Sequence, residues 1–163
     1  IDGCGLVVFR LPLDSLALAY ARLLAGRVPG ESRGEARARA TVVRAMQDRP
    51  EMVAGTGSFT TELLRAGRGR WIGKEGAEGV YAVGLRASAA GGRAVGVALK
   101  IEDGSARGRP PVVIALLREM GWLPAPARRA LVEFAAPPVR NAAGAVVGSI
   151  DAEVPIIRSD AAG

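Results

Sequence analysis

Two lysines occur among 163 residues, and one of them, Lys74, stands in the glycine-flanked run GRWIGKEGAEGVYAVGL over residues 69–85. An amine at a strand end can be presented to a cleft, and Gly76 and Gly79 would let backbone approach a ligand with no Cβ in the way. Glu75 and Glu78 follow within four residues. Both carboxylates favour the ammonium form, so Lys74 is expected to act as a fixed positive charge or a proton donor in a relay rather than as a free base. Spacing alone fits a solvated lysine paired to one of these glutamates more often than a catalytic one. The other lysine, Lys100, ends an alternating strand before EDG and reads as structural.

Cys4 in DGCG is the single cysteine, and the chain has no histidine. A lone cysteine is most often a small buried apolar residue. Zinc needs three or four ligands, which this sequence cannot complete from cysteine and histidine, and nothing here would activate the thiol as a nucleophile. GTGSF at 55–59 lacks the phosphate-loop spacing and its Lys-Ser/Thr ending, so its glycines read as a tight turn.

The formal charge of +6 comes from 20 arginines dispersed among 16 acids. No basic stripe is interleaved with stacking aromatics, which argues against a nucleic-acid partner. No apolar run approaches the roughly 20 residues that cross a bilayer. A soluble, cytoplasmic protein is the expectation, and the lone cysteine fits a reducing compartment. The start at Ile1 and the lack of a secretory signal pattern lead us to expect further sequence upstream.

The elements that must hold these residues are legible in outline. GLVVFRL (5–11) is valine-rich and reads as a buried strand stopped by Pro12. Leu13, Leu16, Tyr20, Leu23 and Leu24 recur at helical spacing up to Gly26, and Glu35–Gln47 gives a second helix. A new turn with Pro50 near its start follows, then a helix capped by Ser58 and closed by Gly67. From Gly69 the period becomes that of strands: RWIGK, EGVYAVGL and RAVGVALKI, the last two forming an antiparallel hairpin. Ala94, Gly96 and Ala98 leave one face small enough for a helix or a ligand to come close. Val113 to Met120 and Pro126 to Phe134 read as helices, and VRNAAGAVVGSIDAEV as a turn between two short strands. Helices at both ends of an antiparallel sheet predict an α+β fold.

Taken together, IDGCG, PLDSLALAYARLLAG, RPEMVAGTGSFTTELLRA, KEGAEGVYAVGL and GVALKIEDGSAR resemble, in order, the C-terminal half of the rhizobial-type L-asparaginases, the asparaginase II family. That family is similar in fold to the serine β-lactamases, penicillin-binding proteins and glutaminases, where a serine in S-x-x-K is opposed by a K-T-G strand. The resemblance, which covers most of residues 1–150, implies an α/β sandwich with residues 1–154 half of one domain; the residues from Pro155 have little in the sequence to hold them, so 155–163 is expected to be a flexible tail. It places KEG (74–76) at K-T-G, with Lys74 in the catalytic group and the Ala77 N–H as an oxyanion donor, while Glu75 replaces the middle hydroxyl residue. It makes Cys4 one of two cysteines that bind zinc together with a lysine, the other two ligands lying upstream. The S-x-x-K serine would lie upstream too, since no serine in this chain is followed at i+3 by lysine.

Asparagine carries an α-ammonium that a specific site pairs with a carboxylate, for which Asp2 is the first choice and Glu78 the second; Glu78 could instead restrain Lys74. The resemblance thus implies an amidohydrolase turning L-asparagine into L-aspartate and ammonia. The fragment is expected to be inactive without its missing N-terminal half or a second subunit, and a homo-oligomer when complete. The rivals are a glutaminase or penicillin-type hydrolase, a non-catalytic basic binding module, and a truncated remnant.

Overall fold

The computed structural model describes residues 5–157. Three antiparallel strands form the central sheet in the order β1-β2-β3: β1 Trp71–Glu75, β2 Val80–Leu85 and β3 Val95–Lys100. The register sets Trp71 against Leu85 and Glu75 against Tyr81, then Tyr81 against Leu99 and Gly84 against Gly96. Side chains alternate across a strand, so this register sorts the sheet into two unlike faces.

One face carries Trp71, Tyr81, Val83 and Leu85, all 1% exposed or less. It packs against Phe59 and Leu63 of α4 (Phe59–Gly67) and Val113, Ile114 and Leu117 of α5 (Arg109–Glu119). Burying each such side chain contributes about 1.5–3 kcal/mol, so this is the main core. Ser58 caps α4 by accepting from the Thr61 N–H at 3.2 Å, as its position before the apolar run predicts. Gly67 closes α4 for a reason of space: a Cβ there would lie 2.4 Å from Trp71 Nε1, which donates to the Leu63 carbonyl at 2.7 Å.

On the other face β2 and β3 present the small residues Ala82, Gly84, Gly96 and Ala98, and this face takes α1 (Leu13–Leu24). A Cβ on Gly96 would lie 1.7 Å from the Ala17 carbonyl oxygen, and one on Gly84 2.5 Å from that of Tyr20. The close approach that the sequence left open between a helix and a ligand is therefore made by a helix. Ile72 on this face joins Leu24, Val43 and Leu64 in a second, smaller cluster. The architecture is α+β, helices covering both faces of an antiparallel sheet.

The second helix, α2, runs Arg33–Asp48 from a capping box: the Ser32 hydroxyl accepts from the Glu35 N–H, and the Glu35 carboxylate accepts from the Ser32 N–H at 2.8 Å. Arg39 ties α2 to the end of α1. It grips Glu31 with two bonds of 2.7 and 2.9 Å and donates to the Leu23 and Ala25 carbonyls at 3.1 and 2.7 Å. Two of the four bonds of this planar guanidinium thus satisfy carbonyls that a helix end leaves open, and the other two hold Glu31. A short helix, α3 Pro50–Ala54, has its proline at N1 or N2 and bridges to α4.

Two expectations change. GLVVFRL forms no strand, residues 6–11 having no regular secondary structure, and its apolar side chains lie open: Val7 is 78% and Phe9 87% exposed. Valine-rich composition reports a fit to a pleated, half-buried surface, and neither described sheet offers this segment a ladder. The helix expected from Pro126 to Phe134 is two pieces, α6 Ala125–Ala130 and α7 Val132–Ala135, because Leu131 between them leaves helical geometry at φ −106° and ψ 10°. The last hairpin forms as expected, β4 Pro138–Arg140 with β5 Val146–Ser149. Most of the tail expected over 155–163 lies outside the described residues.

Candidate active site

Among the described residues β1 is an edge strand, with no neighbouring strand on one of its sides. Lys74 and Glu75 close this strand and by alternation start on opposite faces of the sheet. Lys74 shares the α1 face with Ile72, whereas Glu75 shares the core face with Trp71 and sits opposite Tyr81. The free edge lets the lysine wrap round it. Its Nζ reaches Glu75 Oε1 at 3.3 Å and donates to the Glu75 carbonyl at 3.2 Å, with the side chain 42% exposed. An ion pair this open is worth at most about 1 kcal/mol, so what it contributes is the position of a charge rather than stability.

The Glu75 carboxylate is itself anchored. It accepts a short hydrogen bond from the hydroxyl of Thr60 on α4, and Thr60 Oγ1 lies 2.8 Å from the Tyr81 hydroxyl. Thr60 is 2% and Tyr81 1% exposed. Partial burial pushes the Glu75 carboxyl up, but the Thr60 hydrogen bond, a backbone bond and the Lys74 charge outweigh it and hold the group below its ordinary value. Tyr81 is pushed well above the ordinary phenol value by burial, the Glu75 charge adding to this while the Thr60 bond opposes it. Tyr20 of α1 is raised by burial and by the Glu75 charge. A cavity of about 100 Å³ lies beside this group, lined by Ser58, Thr60, Glu75, Tyr81 and Arg109 among others, and Lys74 is not in its wall.

The turn from β1 to β2 is held from three sides. The Gly76 N–H donates to the Val80 carbonyl at 2.9 Å and the Val80 N–H to the Ala77 carbonyl at 3.3 Å. Arg109, at the start of α5, donates to the Gly76 carbonyl at 2.7 Å. Lys100 donates to the Glu78 carbonyl and, at 2.8 Å, to that of Ile101, the structural role its sequence position predicts. The Ala77 N–H donates to no group among the described residues, and Ala77 is exposed. Glu78 is exposed with φ 55°. Lys74 takes Glu75 as its acidic partner, not Glu78. The two glycines serve the fold: a Cβ on Gly76 would lie 3.1 Å from Val80 Cβ, and Gly79 has φ 74° with its Cβ position 2.8 Å from Ile101 Cβ.

Lys74, Ala77 and Glu78 are thus gathered within one hairpin end, while Asp2 and Cys4 lie outside the described residues. Among the described residues no group of three or more His, Cys, Asp or Glu side chains could hold a metal ion. No described helix is long and apolar enough to cross a membrane. Sequence reasoning missed Thr60, Tyr81 and Arg109. The signal for Tyr81 was present in the hairpin register, whereas Thr60 and Arg109 reach the site only through helix packing. A family model described as L-asparaginase II matches residues 1–152. A search of curated proteins gave no match.

Proposed function

Because the chain belongs to the L-asparaginase II family, we propose that the protein hydrolyses the side-chain amide of L-asparagine to L-aspartate and ammonia, with a serine nucleophile supplied by polypeptide outside these 163 residues. The family is one of asparaginase-like hydrolases, and its substrate is a small molecule. In this reading the serine oxygen attacks the amide carbon and the carbonyl electron pair moves onto oxygen. Collapse breaks the C–N bond, the nitrogen takes up a proton and leaves as ammonia, and water cleaves the resulting aspartyl ester.

Lys74 supplies the positive charge at this centre and a proton to the departing nitrogen. The Ala77 N–H, with no acceptor of its own among the described residues, donates to the oxyanion. One such donor is worth about 3–4 kcal/mol in the transition state. Asp2 pairs the substrate α-ammonium, with Glu78 on the same turn as Lys74 the second choice. Cys4 is the proposed zinc ligand of this chain, and no step here passes through the metal.

The observation that supports this reading is the K-E-G segment ending an edge strand, its amine half-exposed and 3.3 Å from Glu75, in a chain matched over residues 1–152 by the family. A panel of L-asparagine, L-glutamine and nitrocefin, read as ammonia release or ring opening by the protein expressed from its complete reading frame, tests it. Asparagine should exceed the others by tenfold or more in kcat/KM. Equal or faster turnover of glutamine or nitrocefin would overturn it.

A further inference from the structure

Thr60 carries one hydroxyl proton, and it has two polar neighbours, the Glu75 carboxylate and the Tyr81 hydroxyl. An ionised carboxylate can only accept, so the Thr60 proton must go to Glu75. The Tyr81 hydroxyl is then the donor to Thr60. The order of this line is fixed by proton inventory: Tyr81 to Thr60, Thr60 to Glu75, and Glu75 to the Lys74 ammonium 3.3 Å away. Its inner members are buried and its outer end stands at the free edge of the sheet. Space is left for it at Gly73, where a Cβ would come within 3.2 Å of the Tyr81 hydroxyl oxygen.

We propose that Thr60 is a positioning residue for the Lys74 amine, acting through the Glu75 carboxylate, with Tyr81 fixing the Thr60 hydroxyl from the core side. This rests on the asparaginase reading for its effect on turnover, but not for the geometry. The hydroxyl absent from the middle position of K-E-G is present in space, donated to that position's glutamate by the first turn of α4. An exposed lysine samples many rotamers, and ordering one costs side-chain entropy. A carboxylate anchored from a rigid helix lowers that cost at the moment of reaction. The charged or titratable groups that face Glu75 are Lys74 on its own strand, Tyr81 on β2, Tyr20 on α1, and Arg109 on α5 across the shared cavity.

The test uses Thr60→Val, which keeps the shape and removes the hydroxyl, with Thr60→Ser, which restores it, in the full-length protein. Lysine labelled with 13C at Cε gives one resonance for each of the two lysines of these 163 residues, assigned in the full-length protein by Lys74→Arg and Lys100→Arg. In the wild type the Lys74 signal should bend as Glu75 titrates in the acid range. In Thr60→Val that inflection should move to higher pH, because the hydrogen bond that lowers the Glu75 value is gone, while the Lys100 signal stays put. For turnover, kcat should fall about tenfold in Thr60→Val with KM within twofold, and Thr60→Ser should recover at least half of it. An unmoved Lys74 inflection in folded Thr60→Val, or a Thr60→Ser protein as impaired as Thr60→Val, overturns the proposal. If Thr60→Val does not fold, Thr60→Ala replaces it, and the same inflection decides. A moved inflection in a protein inert toward asparagine would sink the asparaginase reading and leave the positioning role standing.

Discussion

Gly96→Ala is the most demanding test of the sheet's thin face. The added Cβ would lie 1.7 Å from the Ala17 carbonyl oxygen, 2.6 Å from its carbon and 2.9 Å from the Ala21 nitrogen. All three are helix backbone, so no side-chain rotation relieves the overlap. Reaching an ordinary separation requires α1 to retreat by about 1.5 Å, and a gap of 0.5–1 Å already forfeits a quarter to a half of a dispersion well. The retreat would also loosen Leu24, Tyr20 and Leu23 from Ile72. Overpacking alone costs about 1–3 kcal/mol, and the loosened contacts bring the expected loss to about 3 kcal/mol or more. Urea unfolding, followed by the fluorescence of fully buried Trp71 and by far-ultraviolet circular dichroism, measures it. Gly148→Ala is the control, since nothing lies within 4 Å of that added Cβ and its effect should stay within about 0.5 kcal/mol. A Gly96→Ala protein as stable as that control would mean that α1 does not lie on this sheet.

Two further predictions concern single interactions. Ser32→Ala removes one arm of the α2 capping box and should cost about 1 kcal/mol in urea unfolding, with Ser32→Asp losing far less. Glu75 has a folded value held below its ordinary one, so its contribution is present above about pH 4.5 and is lost as pH falls through the lower folded value. Wild type should therefore exceed Glu75→Gln in stability at pH 7, by no more than about 1 kcal/mol because the group is partly exposed. That margin should vanish at the acid end of a series of urea midpoints.

What the sequence made legible was local. Ser58 as a cap, Pro50 at a helix start, Gly67 at a helix end and the β2–β3 hairpin each depend on residues a few positions apart, and each is found. Small residues at Ala94, Gly96 and Ala98 announced a close approach, and only packing could say that α1 makes it, at Gly96 and also at Gly84. GLVVFRL misled because apolar composition says a segment suits a sheet without supplying the neighbouring strand. At the site, Lys74 and Glu75 were visible as a pair of charges in sequence. The line from Tyr81 through Thr60 to Glu75 was not, since it joins residues 15 and 21 positions apart by strand register and by the seating of α4.

The central claim is that the Lys74 amine serves the hydrolysis of asparagine, and steady-state kinetics of Lys74→Ala in the complete protein address it most directly. The account predicts that kcat on L-asparagine falls by at least a hundredfold, about 2.7 kcal/mol of transition-state stabilisation, while the unfolding midpoint stays within error of wild type because the ion pair is so exposed. A variant that turns over asparagine at a near-normal rate would contradict it.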